Sequence, residues 1–124
     1  MQWIVCFPKG KTLMFTKSNR DGYKKILPCI QLKTLVFGDK SLLSEFRMEE
    51  GSQIPSHAHS QEQTGYLIAG RIRLSIGDEA FEVGPGDSWN IPGNVAHRAE
   101  ILADAMAIEV FSPVREDYLP RNLA

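Results

Sequence analysis

The sequence predicts an all-β domain, and three features of the chain support that prediction. Apolar and polar residues alternate in several short runs, as in strands with one buried face. Gly, Pro, Asn and Asp clusters separate these runs at regular spacing, which indicates a sandwich or a small barrel. Apolar residues recur at helical spacing nowhere for ten residues without Gly or Pro, so only the tail at 115–119 is expected to form a helical turn.

The first predicted element is a hairpin. Side chains alternate over residues 30–36, the pair Gly38-Asp39 reverses the chain, and a second alternating strand covers residues 42–48. A second hairpin joins residues 72–76 to a strand that contains Phe81 and Val83, through a tight turn at Gly77-Asp78.

Further turns define the remaining strands. Breaks at residues 84–87 and 92–94 enclose a short strand with Trp89 and Ile91. A last strand is predicted from Ala105 to Phe111, and Ser112-Pro113 ends it. Tyr66, Trp89 and Phe46 are expected to fill the interior of the resulting barrel, with a place at its mouth, where pockets usually lie, as the alternative.

Composition limits the classes of protein to be considered. A chain of 124 residues is one domain by size, and its formal net charge of -1 disfavours nucleic acid as a partner. No apolar run approaches the ~20 residues of a membrane span, and the N-terminus has no basic leader, so we expect a soluble, cytoplasmic protein. Cys6 and Cys29 fit neither a disulfide framework nor a zinc knuckle, so two reduced, half-buried thiols are expected.

All three histidines lie in two short segments, which predicts a metal site. His57 and His59 form a His-x-His pair that points to one face if it lies on a strand. His97 can join them only if the strands fold back into a closed or nearly closed structure. Glu62 and Gln63 follow the pair, but adjacent strand residues face opposite ways, so only one of the two can join the histidines.

Residues 51–70 and 86–101 resemble the paired motifs of the cupin superfamily. The first motif matches at Gly51, His57, His59, Gln63 and Gly70, with Gln63 where Glu is usual. The second matches at Gly86, Pro92 and His97, and Asn94 replaces a glycine whose left-handed conformation Asn tolerates. The resemblance implies a double-stranded β-helix (jelly-roll) barrel with a short C-terminal turn or helix. It divides the single domain into N-terminal strands at 1–40, a core barrel with both motifs at 41–111 and a tail at 112–124.

The resemblance also implies a set of metal ligands: His57, His59, Gln63 and His97. Glu62 would replace Gln63 only if a bulge shifted the register. Four neutral ligands leave the charge of a divalent ion uncompensated, which favours an anionic substrate, and leave two octahedral positions open. Nickel, iron, manganese, zinc and copper are all compatible with such donors.

The segment at 109–117 is similar to that of one subgroup, the small KdgF-like cupins of pectin degradation. These proteins help to convert unsaturated uronates into linear keto acids. The similarity implies that Glu109, where the subgroup has Asp, relays a proton, that Phe111 walls the pocket, and that Arg115 holds the substrate carboxylate. The alternatives are Glu109 as a buried acid paired with an Arg, Phe111 as barrel core and Arg115 as a solvated tail charge.

Two other functions remain open at this point. A metal-dependent dioxygenase would use the same histidines to bind oxygen and substrate, and a non-catalytic module would bind a sugar or small acid unchanged. The expected partner in each case is a small molecule. Trp3, Phe7, Met14 and Phe15 are too apolar to stay free, so we expect them to cover a sheet edge or to join a second subunit in a homodimer.

Overall fold

The structure, a computed structural model, describes residues 12–123 and confirms the all-β prediction. Within these residues the chain forms eight strands. They are β1 (Lys24–Leu27), β2 (Ile30–Phe37), β3 (Leu42–Met48), β4 (Gln53–His57), β5 (Glu62–Ile76), β6 (Glu79–Val83), β7 (Ser88–Ile91) and β8 (His97–Ser112). Two single-turn 3-10 helices, Glu116–Tyr118 and Pro120–Asn122, follow a cis Ser112–Pro113 bond and form the predicted C-terminal turn.

Two long strands, β5 and β8, connect the two halves of a jelly-roll barrel. They pair with each other along most of their length. The first half of β5 also pairs with β7, and its second half pairs with β6. The first half of β8 pairs with β4, and its second half pairs with β3, which continues to β2 and β1. Because β5 and β8 change partners halfway along, the two layers curve into one barrel.

The change of partners on β5 coincides with Gly70. The register of β5 against β8 is irregular between Leu67 and Ile72. Gly70 has a φ of +91°, and a Cβ atom added to it would lie 2.2 Å from the backbone oxygen of Asp104. Only glycine allows the two bent strands to approach this closely.

The core lies inside the barrel and comes from alternate residues of the strands. On β5 the side chains of Leu67, Ile72 and Leu74 are buried, and on β8 those of Ile101 and Phe111 are buried. The predicted last strand, Ala105 to Phe111, was too short, because β8 begins at His97. The inward residues of its first half include a histidine and an alanine, so the apolar alternation is weak there.

Several expectations about individual side chains need correction or stay open. Tyr66 is 48% exposed and does not fill the interior, and Cys29 is exposed rather than half-buried. Met14 and Phe15 are 76% and 74% exposed, although the neighbouring Leu13 pairs with Phe37 of β2. The expectation for Trp3, Phe7 and Cys6 lies outside the described residues. None of the helices within residues 12–123 is long and apolar enough to cross a membrane.

Candidate metal centre

The three histidines meet at one end of the barrel. His57 is the last residue of β4 and lies opposite His97, the first residue of β8. His59 lies in the loop that follows β4, so the expectation that a single strand presents both members of the His-x-His pair is wrong. The candidate ligand atoms of the three rings all lie within 4.8 Å of one another. The barrel therefore forms a cluster that could bind a metal.

Backbone contacts fix the orientation of each imidazole ring. Each Nδ1 atom contacts a carbonyl oxygen two residues away, at 2.9 to 3.0 Å: Pro55 for His57, Gln61 for His59 and Val95 for His97. Because a carbonyl oxygen only accepts, each Nδ1 carries the proton and donates it. The Nε2 atoms keep their lone pairs, which is the arrangement found when outer contacts orient histidine ligands.

The burial of His97 gives an independent test of whether a metal fits here. Its Nε2 is the one fully buried side-chain polar atom within residues 12–123 that has no hydrogen-bond partner. Burial lowers the pKa of His97 to about 4, and burial together with the charge of Arg115 lowers the pKa of His59. Both rings are therefore neutral near pH 7, as metal ligands must be. An unpartnered lone pair in this position matches the demand of a bound cation.

Gln63 lies beside the histidines, and Glu62 does not. The side chain of Gln63 is buried, and its Oε1 is 3.1 Å from Nε2 of His59. The Nε2 of Gln63 donates to Oε1 of Glu109, which fixes the amide with its oxygen towards the ring. Glu62 is exposed and accepts a hydrogen bond from Asn90, at 3.0 Å.

Glu109 is a buried carboxyl group on β8 that faces the same cavity. Its Oε1 accepts hydrogen bonds from Gln63 and, at 3.3 Å, from the indole Nε1 of Trp89. Burial raises the pKa of Glu109 to about 7, although these two hydrogen bonds and the charge of Arg115 act in the opposite direction. The hydrogen bonds of this acid come from an amide and an indole rather than from an arginine.

Arg115 lies against two aromatic rings at the start of the tail. Its guanidinium carbon is 4.1 Å from the ring centre of Tyr118 and 5.3 Å from that of Phe111. Its Nε donates to Asp117 Oδ1 at 3.0 Å, and its side chain is only 15% exposed. Arg115 is thus held in place rather than solvated, and the adjacent aromatic faces favour its cation.

Most of these side chains line one cavity of about 520 Å³, and His59 lies beside it next to His57 and His97. Phe111 and Tyr118 contribute aromatic walls. The polar and charged lining residues are His57, His97, Gln63, Glu109, Arg115, Ser56, Arg98 and Asp117. Most of the remaining lining is aliphatic. A cavity of this size accommodates a small molecule beside the histidine cluster.

Sequence reasoning missed one contributor to this cavity, Tyr118, and left the place of a second, Trp89, open. Tyr118 belongs to the tail, where the pattern indicated only a helical turn. Trp89 was expected in the interior or at the barrel mouth, and its polar partner was not predicted. Gly65 gave an available signal for Trp89, because a glycine inside a strand often marks a close approach by another group. A Cβ atom at Gly65 would lie 2.1 Å from Cε2 of that indole.

Comparison with known proteins identifies the class. Residues 44–112 match the model of the cupin domain family, so the chain belongs to the cupins. Among solved structures it is similar to an RmlC-like cupin from Shewanella frigidimarina, with 23% identity, a TM-score of 0.83 and coverage of 88% of this chain and 98% of the other. It is also similar to KdgF from Halomonas sp., with 26% identity, a TM-score of 0.80 and coverage of 85% and 99%. The chain is a KdgF-like cupin.

Two curated relatives match a shorter part of this chain. An uncharacterized protein of Streptomyces coelicolor is 28% identical over 69 residues, which is 55% of this chain and 66% of that protein. A second, from Methanocaldococcus jannaschii, is 32% identical over 68 residues, which is 54% of each chain. The matches thus span between about half and two thirds of the length of these relatives.

Proposed function

We propose that the protein is a metal-dependent enzyme that opens the ring of, or tautomerises, an unsaturated uronate or a similar small sugar acid. The observation that carries this proposal is the position of Glu109 and Arg115. A buried acid and a held cation face the cavity that His57 and His97 line. The structural similarity to KdgF supports the same assignment.

In this proposal His57, His59, Gln63 and His97 hold one divalent transition metal, and Glu62 is not a ligand. The donor set of three imidazoles and one amide is compatible with nickel, iron, manganese, zinc or copper. When bound, the metal supplies Lewis acidity to an oxygen of the substrate. The orphaned Nε2 of His97 and the facing acceptors of His59 and Gln63 are what support this ligand set.

The other side chains bind the substrate and move the proton. Arg115 holds the carboxylate of the uronate through its terminal amino groups, because its Nε is already bonded to Asp117. Glu109 relays a proton between the positions on the substrate that lose and gain it. Phe111 belongs to the core and closes the cavity as an aromatic wall.

An absorbance assay tests this function. With metal-loaded protein, an unsaturated uronate should lose the ultraviolet absorbance of its conjugated double bond faster than without protein. Removal of the guanidinium in Arg115→Gln should raise KM and lower kcat/KM by about 10- to 100-fold, as expected for a lost charge-assisted hydrogen bond. Arg71→Gln is the matched control, because Arg71 is exposed and pairs only with Glu82 at 2.7 Å among its described contacts.

The assay also separates the alternative functions. A dioxygenase would consume oxygen in step with substrate, and a binding module would show saturable binding with no loss of substrate. Full activity in His59→Ala would exclude the metal-dependent reaction.

We also propose that the protein is a homodimer. The support is the exposure of Met14 and Phe15, since large apolar side chains that remain exposed often mark an interface. Light scattering should give twice the chain mass of 13.9 kDa. A solution mass equal to one chain would contradict the dimer.

A further inference from the structure

Gly65 creates a space that two side chains from neighbouring strands share. Gly65 on β5 lies opposite Trp89 of β7 on one side and opposite Glu109 of β8 on the other. Directly opposite residues project to the same face of a sheet. Because Gly65 has no side chain, the indole of Trp89 lies across it, and an added Cβ would be within 2.3 Å of three indole atoms.

This contact brings the indole to the buried carboxyl group. Trp89 Nε1 donates to Glu109 Oε1 at 3.3 Å, and Gln63 Nε2 donates to the same oxygen. Gln63 has a donor end and an acceptor end, and a half-turn of its amide exchanges them. The bond to Glu109 selects the orientation in which the oxygen faces His59.

We propose that Trp89, resting on Gly65, and Glu109 act together as positioning residues for Gln63. Glu109 accepts the amide N–H and so keeps the oxygen of Gln63 directed at the histidine cluster, and the indole N–H keeps Glu109 in place. The opposite amide orientation would direct N–H groups at the cluster, and these repel a cation instead of binding it. This inference rests on the proposed function, because it assumes that Gln63 is a metal ligand.

The affinity of the full-length protein for Ni²⁺ alone, measured by calorimetry, tests the role of Glu109. In Glu109→Gln the new amide oxygen can still accept from Gln63, so the affinity should stay within about threefold of wild type. Glu109→Leu removes the acceptor and should weaken binding by about 10- to 100-fold, as expected for loss of an outer contact to a ligand. If both variants lost affinity equally, the charge of Glu109 rather than its contact with Gln63 would matter, and the positioning role would be wrong.

Gln63→Leu distinguishes this inference from the function on which it rests. Unchanged Ni²⁺ affinity in Gln63→Leu would overturn the ligand set itself. A loss in Gln63→Leu together with unchanged affinity in Glu109→Leu would overturn only the positioning role. Thermal unfolding of each metal-free variant checks that the protein remains folded.

The indole N–H of Trp89 gives a readout that needs neither metal nor substrate. In nuclear magnetic resonance spectra of the metal-free protein, this proton should exchange with water at least about tenfold more slowly in wild type than in Gly65→Ala. Exchange of this proton should also be slow in Glu109→Gln and fast in Glu109→Leu. Slow exchange in Gly65→Ala and Glu109→Leu alike would show that the indole does not depend on Gly65 or on Glu109, and would contradict the proposal.

Discussion

The Oε1 atom of Gln63 and the Nε2 atom of His59 lie 3.1 Å apart, although both are acceptors. The other end of each group is occupied, since His59 Nδ1 contacts the carbonyl of Gln61 and Gln63 Nε2 donates to Glu109. Two acceptors at this distance repel each other unless a cation lies between them. Ligands bound at right angles at ~2.1 Å from one ion are about 3 Å apart, so the pair has the spacing of neighbouring ligands.

Metal binding should stabilise the fold through His97. A ligand that binds only the native state at about 100 times its Kd adds about 2.7 kcal/mol to the free energy of unfolding. We expect urea unfolding to show this gain with Ni²⁺ for wild type and almost none for His97→Ala. An equal gain in His97→Ala would show that the ion binds elsewhere.

The uncharged side chain of Gln63 should stabilise the metal-free protein. Gln63→Glu, which introduces the usual residue of the family, loses the donor to Glu109 and places two carboxyl groups in contact. We expect the metal-free variant to lose about 1–3 kcal/mol of unfolding free energy, and bound metal to restore much of it. Glu62→Gln, on the exposed neighbour, is the control and should change little. If Gln63→Glu were as stable as wild type without metal, the contact with Glu109 would not explain why this chain has glutamine at position 63.

Gly70 should be far less replaceable than Gly51. Both have φ near +90°, but an added Cβ would meet nothing within 4 Å at Gly51 and the backbone of Asp104 and Ala105 at Gly70. Gly51→Ala should therefore cost only the backbone strain, about 1–2 kcal/mol. Gly70→Ala should cost more than about 4 kcal/mol or prevent folding. Equal unfolding free energies for the two variants would contradict the close approach of β5 and β8.

Tyr118 should make the fold sensitive to alkali. Burial raises its pKa to about 12. Between about pH 10 and that value the unfolded chain ionises this phenol and the folded protein does not, so stability falls as the pH rises. At about pH 11 the difference is on the order of 1 kcal/mol. Urea unfolding should show a smaller loss between about pH 9 and about pH 11 for Tyr118→Phe than for wild type. Burial and a hydrogen bond to Glu45 also raise the pKa of Tyr23 to about 12, but Tyr23 is present in both proteins and contributes equally to each. Equal losses in both proteins would refute the burial argument.

The sequence alone predicted the all-β fold class, because turn residues clearly mark the ends of several strands. The pairs Gly38-Asp39 and Gly77-Asp78 end strands that alternate clearly, and both hairpins form as predicted. The first half of β8 escaped detection because its inward side chains, such as His97 and Ala99, are polar or small. Hydrophobic alternation reports only the apolar part of a buried face.

The sequence predicted those parts of the candidate site that depend on spacing along the chain. It did not predict the contacts that depend on which strands pair. The spacing of His57 and His59 indicated that they act together. Strand alternation explains why Gln63 faces the histidines and Glu62 faces away. The contact of Trp89 with Glu109 depends on the pairing of three strands around Gly65. The glycine signals a close approach, but it does not show which strands pair there. The packing of Tyr118 over Arg115 likewise depends on how the tail returns to the barrel.

The most direct test is an anomalous-scattering map from crystals of the protein loaded with Ni²⁺. We predict one peak in the cavity, at about 2.0–2.2 Å from Nε2 of His57, His59 and His97 and from Oε1 of Gln63. A peak that contacts Nδ1 atoms instead, a peak far from Gln63, or no peak at these four residues would contradict the account.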